Sequence, residues 1–168
     1  MARPRNFTRK PRSRAPIVAA ALLVGAIAGG AVLSNGRSTT AGAAQQGRYT
    51  DTVTDCRVVD GDTLNCDGSR IRLLGIDAPE LPGHCADGRN CAPGDPYQSA
   101  SSLRDGMGDG TKLRISIAGA DRYGRTLALV YGKGGDLSCW QLVHGAAIYK
   151  PRWDNDGRVS RTCPSAAR

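Results

Sequence analysis

The segment that decides this fold runs Asp60-Gly61-Asp62-Thr63 and then Arg70-Ile71-Arg72-Leu73-Leu74-Gly75-Ile76-Asp77-Ala78-Pro79-Glu80. Asp and Gly in the first part are typical of a turn, and the alternating aliphatic residues of the second part are typical of a strand. The strand carries arginines, and the bend after it carries two more carboxylates. Carboxylate oxygens bind hard divalent cations, and arginine binds phosphate through parallel hydrogen bonds. The segment therefore predicts a cation site beside a phosphate clamp.

The patterns around this segment predict an α+β fold. Runs of β-branched or alternating residues predict five strands, at Thr52–Val59, Thr63–Cys66, Ser69–Ile76, Thr111–Ile117 and Arg125–Tyr131. Asp95 before Pro96 is typical of a helix start, and this helix is expected to continue to about Met107. Asp136 is expected to cap a second helix that ends at Gly145. Because closure leaves no strand edge unpaired, we expect a small closed barrel packed by two or three helices.

The residues of the candidate site are ordinary when each is taken alone. Asp60 and Asp62 fit any turn, an arginine on a surface strand points outward in many proteins, and Glu80 alone fits a solvated loop. As a set, however, four blocks closely resemble the staphylococcal nuclease (thermonuclease) family. The blocks are Asp60-Gly61-Asp62-Thr63, Arg72-Leu73-Leu74, Asp77-Ala78-Pro79-Glu80 and Asp121-Arg122-Tyr123-Gly124-Arg125, and their order and spacing fit from roughly Val53 to Tyr149.

The resemblance implies a five-stranded oligonucleotide/oligosaccharide-binding (OB) barrel and a Ca²⁺-dependent phosphodiesterase that acts on DNA and RNA and leaves 3′-phosphate ends. It assigns Ca²⁺ ligation to the carboxylates of Asp62 and Asp77 and to the carbonyl of Ala78, a position where the family often has threonine. Glu80 would orient or deprotonate the attacking water, and Arg72 and Arg125 would bind the scissile phosphate. Binding of the flanking substrate is assigned to three further residues: Arg122 and Tyr123 at a phosphate, and Tyr149 at a base.

The first 48 residues have the composition of a targeting segment. They hold 8 of the 23 basic residues and no acidic one, so 15 basic residues remain to balance the 15 acidic ones. The net charge of +8 therefore says nothing about partners of the folded part. An apolar run at 17–33 follows six basic residues, which is typical of a signal peptide or of a membrane anchor, and both alternatives stay open. Either one places the remaining chain outside the cytoplasm. We expect this remaining chain to be a monomer with a domain at 49–150 and a tail at 151–168.

The six cysteines all follow the apolar run, and an even number in an exported domain predicts disulfides. Local geometry favours Cys56–Cys66 across the Asp60–Thr63 turn, and Cys85–Cys91 and Cys139–Cys163 are the other expected pairs. The alternative is a zinc site, but no C-x-x-C pair occurs and the spacings match no structural zinc module.

Two questions about the function stay open, one about the substrate and one about catalysis. The loop after Glu80 is often lysine-rich in the family, whereas here it contains Pro82, Gly83, His84 and Cys85, which leaves substrate affinity and strand preference undecided. A non-catalytic nucleic-acid-binding module on the same barrel is the alternative to an exported nuclease. Such modules usually lack the acids or the arginines, and this chain has all five: Asp62, Arg72, Asp77, Glu80 and Arg125.

Overall fold

The computed structural model describes residues 49–168. The expected targeting segment at 1–48, with the apolar run at 17–33, lies outside the described residues. Among the residues from 49 onward, no helix is both long and apolar enough to cross a membrane.

The described chain is an α+β structure with one large and one small sheet. The strands of the large sheet are β1 (Asp51–Thr54), β2 (Cys56–Asp60), β3 (Thr63–Cys66), β4 (Ser69–Leu73), β6 (Lys112–Ala120), β7 (Thr126–Gly132) and β8 (Gly135–Asp136). The small sheet pairs β5 (Ile76–Asp77) with β9 (Ile148–Tyr149). The five predicted strands are therefore present, although their ends differ by a few residues and two of them are divided.

The large sheet has the order β1-β6-β7-β4-β3-β2, and β8 pairs with β7. All pairings are antiparallel except that between β4 and β7, which is parallel. No ladder of hydrogen bonds joins β1 to β2 in the described sheet, so the predicted closed barrel is present only in part. The two end strands are nevertheless consecutive in the chain, separated by Asp55. Asp55 has a φ of 51°, a conformation that few residues other than glycine adopt, and it divides the single strand predicted at Thr52–Val59.

Three α-helices are described: α1 (Pro96–Met107), α2 (Leu137–Val143) and α3 (Arg158–Thr162). Helix α1 begins and ends where the sequence predicts. Its start is fixed by Asp95, whose side chain accepts hydrogen bonds from the N–H groups of Tyr97 and Gln98. Helix α2 is capped by Asp136 as predicted but ends at Val143, two residues before Gly145. A 3₁₀ turn at Pro151–Trp153 precedes α3.

The three expected disulfides are all present, at Cys56–Cys66, Cys85–Cys91 and Cys139–Cys163. Cys56 and Cys66 face each other across the β2–β3 hairpin, whose turn carries Asp62. The main core lies between the large sheet and helices α1 and α2 and includes Leu64, Ile71 and Leu103. Burial of apolar surface stabilises a fold by about 25 cal/mol per Å². The burial of these side chains holds the strand that carries Arg72 in place.

Residues after β9 are attached to the end of β4 through Gly75. The Gly75 N–H donates to the carbonyl of Trp153 at 2.9 Å, and the Gly75 carbonyl accepts from the Lys150 N–H at 2.8 Å. Gly75 has a φ of +68°, and a Cβ atom there would lie 2.8 Å from Cγ2 of Val159. Only glycine therefore permits both the backbone conformation and the close approach of α3.

Candidate active site

The carboxylates of Asp62 and Asp77 lie at the base of the site and are 2% and 0% exposed. Asp62 ends the β2–β3 turn, and its Oδ2 atom accepts a hydrogen bond from the Ala78 N–H at 2.9 Å. This bond joins the turn to the bend after β5. Gln141 also holds the turn, because its Nε2 atom donates to the Gly61 carbonyl at 2.6 Å. The acids separated by 15 positions in sequence therefore meet, as the sequence predicts.

Arg72 is the buried cation between these two acids. It forms an ion pair with Asp62, and its Nη2 atom lies 3.5 Å from Oδ1 of Asp77. Burial lowers the pKa of the Arg72 guanidinium from its ordinary value, and the positive charge of Arg125 lowers it further, while nearby carboxylates act in the opposite direction. Arg72 and Arg125 line the same cleft.

The donor set at the base of the site fits a hard cation. The Oδ2 atom of Asp77 is buried and accepts no hydrogen bond, and Nζ of Lys150 lies 3.8 Å from it. Buried carboxylate oxygens normally have a donor or a metal, so this atom is available to a cation. Within the described chain, no three His, Cys, Asp or Glu side chains form a complete metal cluster. A cation bound by Asp62 and Asp77 would complete its coordination with carbonyl groups and water, as Ca²⁺ commonly does.

Arg89 is a site residue that the sequence analysis missed. It lies in the loop closed by Cys85–Cys91, and its two terminal nitrogens donate to Oδ1 of Asp77 at 2.6 Å and to Oε1 of Glu80 at 2.8 Å. Glu80 is therefore held close to the buried acids by an arginine from the loop. The signal that could have located it is the short disulfide-closed loop directly after Glu80, which must return toward the bend.

The block Asp121-Arg122-Tyr123-Gly124-Arg125 is a tight turn between β6 and β7. Asp121 accepts hydrogen bonds from the N–H groups of Tyr123 and Arg125 and from Nε of Arg125 at 2.7 Å. Partial burial alone would raise the pKa of Asp121, but these hydrogen bonds outweigh it, and the pKa is below its ordinary value. Asp121 thus fixes the direction of the Arg125 guanidinium, and Arg122 donates to the Tyr123 hydroxyl at 2.6 Å.

These elements enclose a cleft of about 690 Å³. The residues of the candidate site that line it are Arg72, Glu80, Arg122, Tyr123 and Arg125, and Arg89, Arg152 and Trp153 complete its wall. Asp62, Asp77 and Ala78 are buried and are not among the lining residues, but Asp62 and Asp77 contact Arg72, and the Ala78 N–H donates to Asp62. Tyr149 is not among the lining residues: its hydroxyl donates to Oδ2 of Asp154 at 2.6 Å, and this bond raises its pKa. The structure therefore brings together eight of the nine predicted site residues.

Comparison with known proteins agrees with this arrangement. The family described as staphylococcal nuclease homologue matches residues 70–163, which is more than half of the chain. The chain belongs to this family. The match includes Arg72, Asp77, Glu80 and Arg125, and the domain of this family is an OB-fold.

Two curated relatives were found. One is a succinoglycan biosynthesis protein, ExoI, of Rhizobium meliloti, which is 35% identical over 101 residues, covering 60% of this chain and 52% of the relative. The other is an uncharacterized endonuclease of Haemophilus influenzae, 33% identical over 109 residues, covering 60% of this chain and 55% of the relative. The chain thus spans about half the length of the curated relatives it matches. The family is thus one of nuclease homologues, and the name of the second relative is that of an endonuclease.

Proposed function

We propose that this chain is an exported Ca²⁺-dependent nuclease that hydrolyses phosphodiester bonds of DNA and RNA and leaves 3′-phosphate ends. The folded part acts as a monomer, with a nuclease domain at 49–150 and a tail at 151–168 tied by Cys139–Cys163. Three disulfides among the described residues support export, because cysteine pairs persist in oxidising compartments.

The single observation that carries the proposal is that one acid and two arginines line one cleft, while two buried acids contact one of these arginines. Arg72 is held by an ion pair with Asp62, and Arg125 is held by an ion pair with Asp121. Each guanidinium therefore has a fixed position before substrate binds. Fixed donors stabilise charge that develops on the phosphate oxygens in the transition state without the cost of reorganisation.

Glu80 is the residue that prepares the attacking water. Its carboxylate lies at the rim of the cleft, with 24% of the side chain exposed, and Arg89 holds it at 2.8 Å. A carboxylate in this position accepts a proton from water as the water attacks phosphorus. The P–O5′ bond then breaks, and the leaving 5′ oxygen takes a proton from solvent, which leaves a 3′-phosphate and a 5′-hydroxyl.

Asp62, Asp77 and the Ala78 carbonyl would hold Ca²⁺. When bound, Ca²⁺ supplies charge neutralisation and a template for the phosphate. Lys150, with Nζ at 3.8 Å from Asp77, adds positive charge beside the same acids.

Cleavage by the full-length chain tests this proposal. A 5′-labelled single-stranded DNA and an RNA of the same length should be cut in Ca²⁺, and cutting should stop in excess EGTA and return when Ca²⁺ is restored. The new ends should be extended by a polymerase only after phosphatase treatment, because they carry a 3′-phosphate. A chain that binds these strands yet leaves them intact in Ca²⁺ would instead be a binding module.

A further inference from the structure

The loop at 81–94 is hydrogen-bonded to the cleft through one side chain, that of Arg89. Within the described chain, every hydrogen bond from this loop to the rest of the domain is made by the Arg89 guanidinium, which donates to Asp77 at 2.6 Å and to Glu80 at 2.8 Å. The guanidinium carbon also lies 5.7 Å from the ring centroid of Trp153. The position of the Glu80 carboxylate therefore depends on where this loop places Arg89.

The Cys85–Cys91 disulfide holds Arg89 in this place from within the loop. The bonded cysteines are six positions apart in sequence, and Arg89 lies between them. The Arg89 N–H donates to the Ala86 carbonyl at 3.0 Å, and the Arg89 carbonyl lies 3.4 Å from Sγ of Cys85. A short closed ring has few conformations, so little conformational entropy is lost when its arginine binds two acids. When the ring is open, the loop has more conformations, and Arg89 occupies this place less often.

Cys85 is the most accessible of the six cysteines. It is exposed, whereas Cys56 and Cys66 are buried and the other three are half-buried. Because thiol–disulfide exchange requires access to a sulfur atom, a dithiol is expected to open the Cys85–Cys91 bond before the other two.

The reduction by a dithiol proceeds in two exchanges. A thiolate of the dithiol attacks Sγ of Cys85, the protein S–S bond breaks, and Cys91 leaves as a thiolate that takes a proton. The second thiol of the reagent then displaces Cys85. The protein gains two thiols, and the dithiol becomes a disulfide.

We propose that Arg89 is a positioning residue for Glu80, and that the oxidation state of Cys85 and Cys91 switches this positioning on and off. When the bond is closed, Arg89 fixes Glu80 and cutting is fast. When the pair is reduced, Arg89 leaves Glu80 and cutting is slow. Reducing compartments keep cysteine pairs as thiols and oxidising compartments keep them bonded, so the proposed export would activate the nuclease. The effect on cutting rests on the proposed function, whereas the coupling between Arg89 and the disulfide does not.

The coupling is tested in EGTA, without any cutting. If the closed bond favours the Arg89 contacts, these contacts favour the closed bond by the same factor, because coupling is reciprocal. Full-length chains are equilibrated with mixtures of reduced and oxidised dithiothreitol, and free thiols are alkylated and located by mass spectrometry. Arg89→Ala should make the Cys85–Cys91 bond easier to reduce by roughly three- to ten-fold in the equilibrium constant, the order expected for loss of partly exposed charged hydrogen bonds.

Arg104→Ala is the matched control, because it removes the same charge at an exposed position of α1. It should have the reduction equilibrium of the wild-type chain. If another cysteine pair opens first in the wild-type chain, or if Arg89→Ala behaves like Arg104→Ala, the assignment is wrong.

Cutting in Ca²⁺ tests the effect on the site. The variant Cys85→Ser/Cys91→Ser should lose roughly 10- to 100-fold in kcat, the size expected when a catalytic group is misplaced by about 1 Å. Dithiothreitol at a concentration that opens only the Cys85–Cys91 bond should slow the wild-type chain to the same extent and should not slow this variant further. Arg89→Ala should show a similar loss, and combining all three substitutions should cost little more. Losses that multiply in the triple variant would show that the disulfide acts independently of Arg89.

Ca²⁺ affinity separates positioning from general damage to the site. Because the Arg89 charge opposes a cation at Asp77, Cys85→Ser/Cys91→Ser should bind Ca²⁺ more tightly while it cuts more slowly. A damaged fold would weaken both, and weaker Ca²⁺ binding in this variant would contradict the proposal. If the wild-type chain never cuts but the reduction equilibria differ as expected, the nuclease proposal fails and the coupling stands. Equal cutting with the bond closed and open would overturn the switch and leave the nuclease proposal intact.

Discussion

Nη2 of Arg89 lies 2.6 Å from Oδ1 of Asp77, although 12 positions separate the two residues in sequence. The same guanidinium holds Glu80. One loop arginine therefore neutralises a buried proposed Ca²⁺ ligand and also positions the proposed base. Its positive charge opposes any cation that binds Asp77.

Arg89→Ala should therefore strengthen Ca²⁺ binding, by roughly three- to ten-fold, the order expected for removing one nearby charge in a partly hydrated site. Titration calorimetry of the full-length chain measures the affinity. Arg104→Ala, at an exposed position of α1, makes the same change in net charge away from the site and should have no effect. Weaker Ca²⁺ binding in Arg89→Ala would show that the arginine supports the cation site.

Asp77→Asn should abolish stabilisation by Ca²⁺. A ligand present at 100 times its dissociation constant adds about 2.7 kcal/mol to the free energy of unfolding, which raises Tm by several degrees. The wild-type chain should show this rise in Tm when Ca²⁺ replaces EGTA, and Asp77→Asn should not. Asp87→Asn, an exposed change in the nearby loop, should keep the full rise. The same Tm rise in Asp77→Asn would remove this residue from the ligand set.

Arg125→Ala should reduce kcat by about 100-fold or more, because one fixed donor to the transition state is lost. The fold should be retained, since the Arg125 side chain is partly exposed and its main partner is Asp121. Thermal unfolding checks the fold, and Arg70→Ala, an exposed arginine on β4, should retain normal turnover. Near-normal kcat in Arg125→Ala would place this arginine outside the mechanism.

Asp121 should contribute to stability in a pH-dependent way. Its folded-state pKa is below its ordinary value of 3.8, so its contribution is present above that value and is lost as pH falls through the folded pKa. Urea unfolding of the wild-type chain and of Asp121→Asn should differ at pH 7, and the difference should shrink below about pH 4. A difference that is constant from pH 7 to pH 3 would contradict a role for the carboxylate charge.

Replacing Cys139 and Cys163 with serine should lower the free energy of unfolding by about 2–4 kcal/mol, the usual contribution of a disulfide that closes a loop of this size. The bond joins α2 to the end of α3, and its cysteines are 24 positions apart in sequence. Because α3 follows the turn that carries Trp153, substrate affinity should also fall. Denaturant unfolding and binding of the labelled strand measure the two effects, and unchanged stability would contradict the prediction.

The elements with strong local signals could be predicted from the sequence. Helix α1 has a proline in its first turn and an Asp cap, and both act within a few residues, so its two ends were predicted correctly. The interruption of the first strand at Asp55 could not be predicted. Nothing in Thr52–Val59 indicates a residue with positive φ, and the break is set by pairing of β1 with β6 and of β2 with β3.

The site could be predicted where its residues share a short motif, and not where they meet only in three dimensions. The block from Asp121 to Arg125 is a local turn, so its geometry follows from its sequence. Trp153 lies in a 3₁₀ turn near the C-terminus and has no pattern that indicates the cleft, and the only signal for Arg89 is its place in a disulfide-closed loop after Glu80. Their places depend on long-range contacts that periodicity does not encode.

Because Gly75 has no side chain, the end of β4 and helix α3 can lie close together. Adding a single methyl group there would push against Val159 and would strain the main chain two residues before Asp77. Because Gly75 also bonds to Trp153, the positions of Asp77 and of the Trp153 ring cannot be adjusted independently. Any redesign that widens this groove for a bulkier strand must therefore begin elsewhere, at the rim, where Tyr123 and Arg122 have room to change.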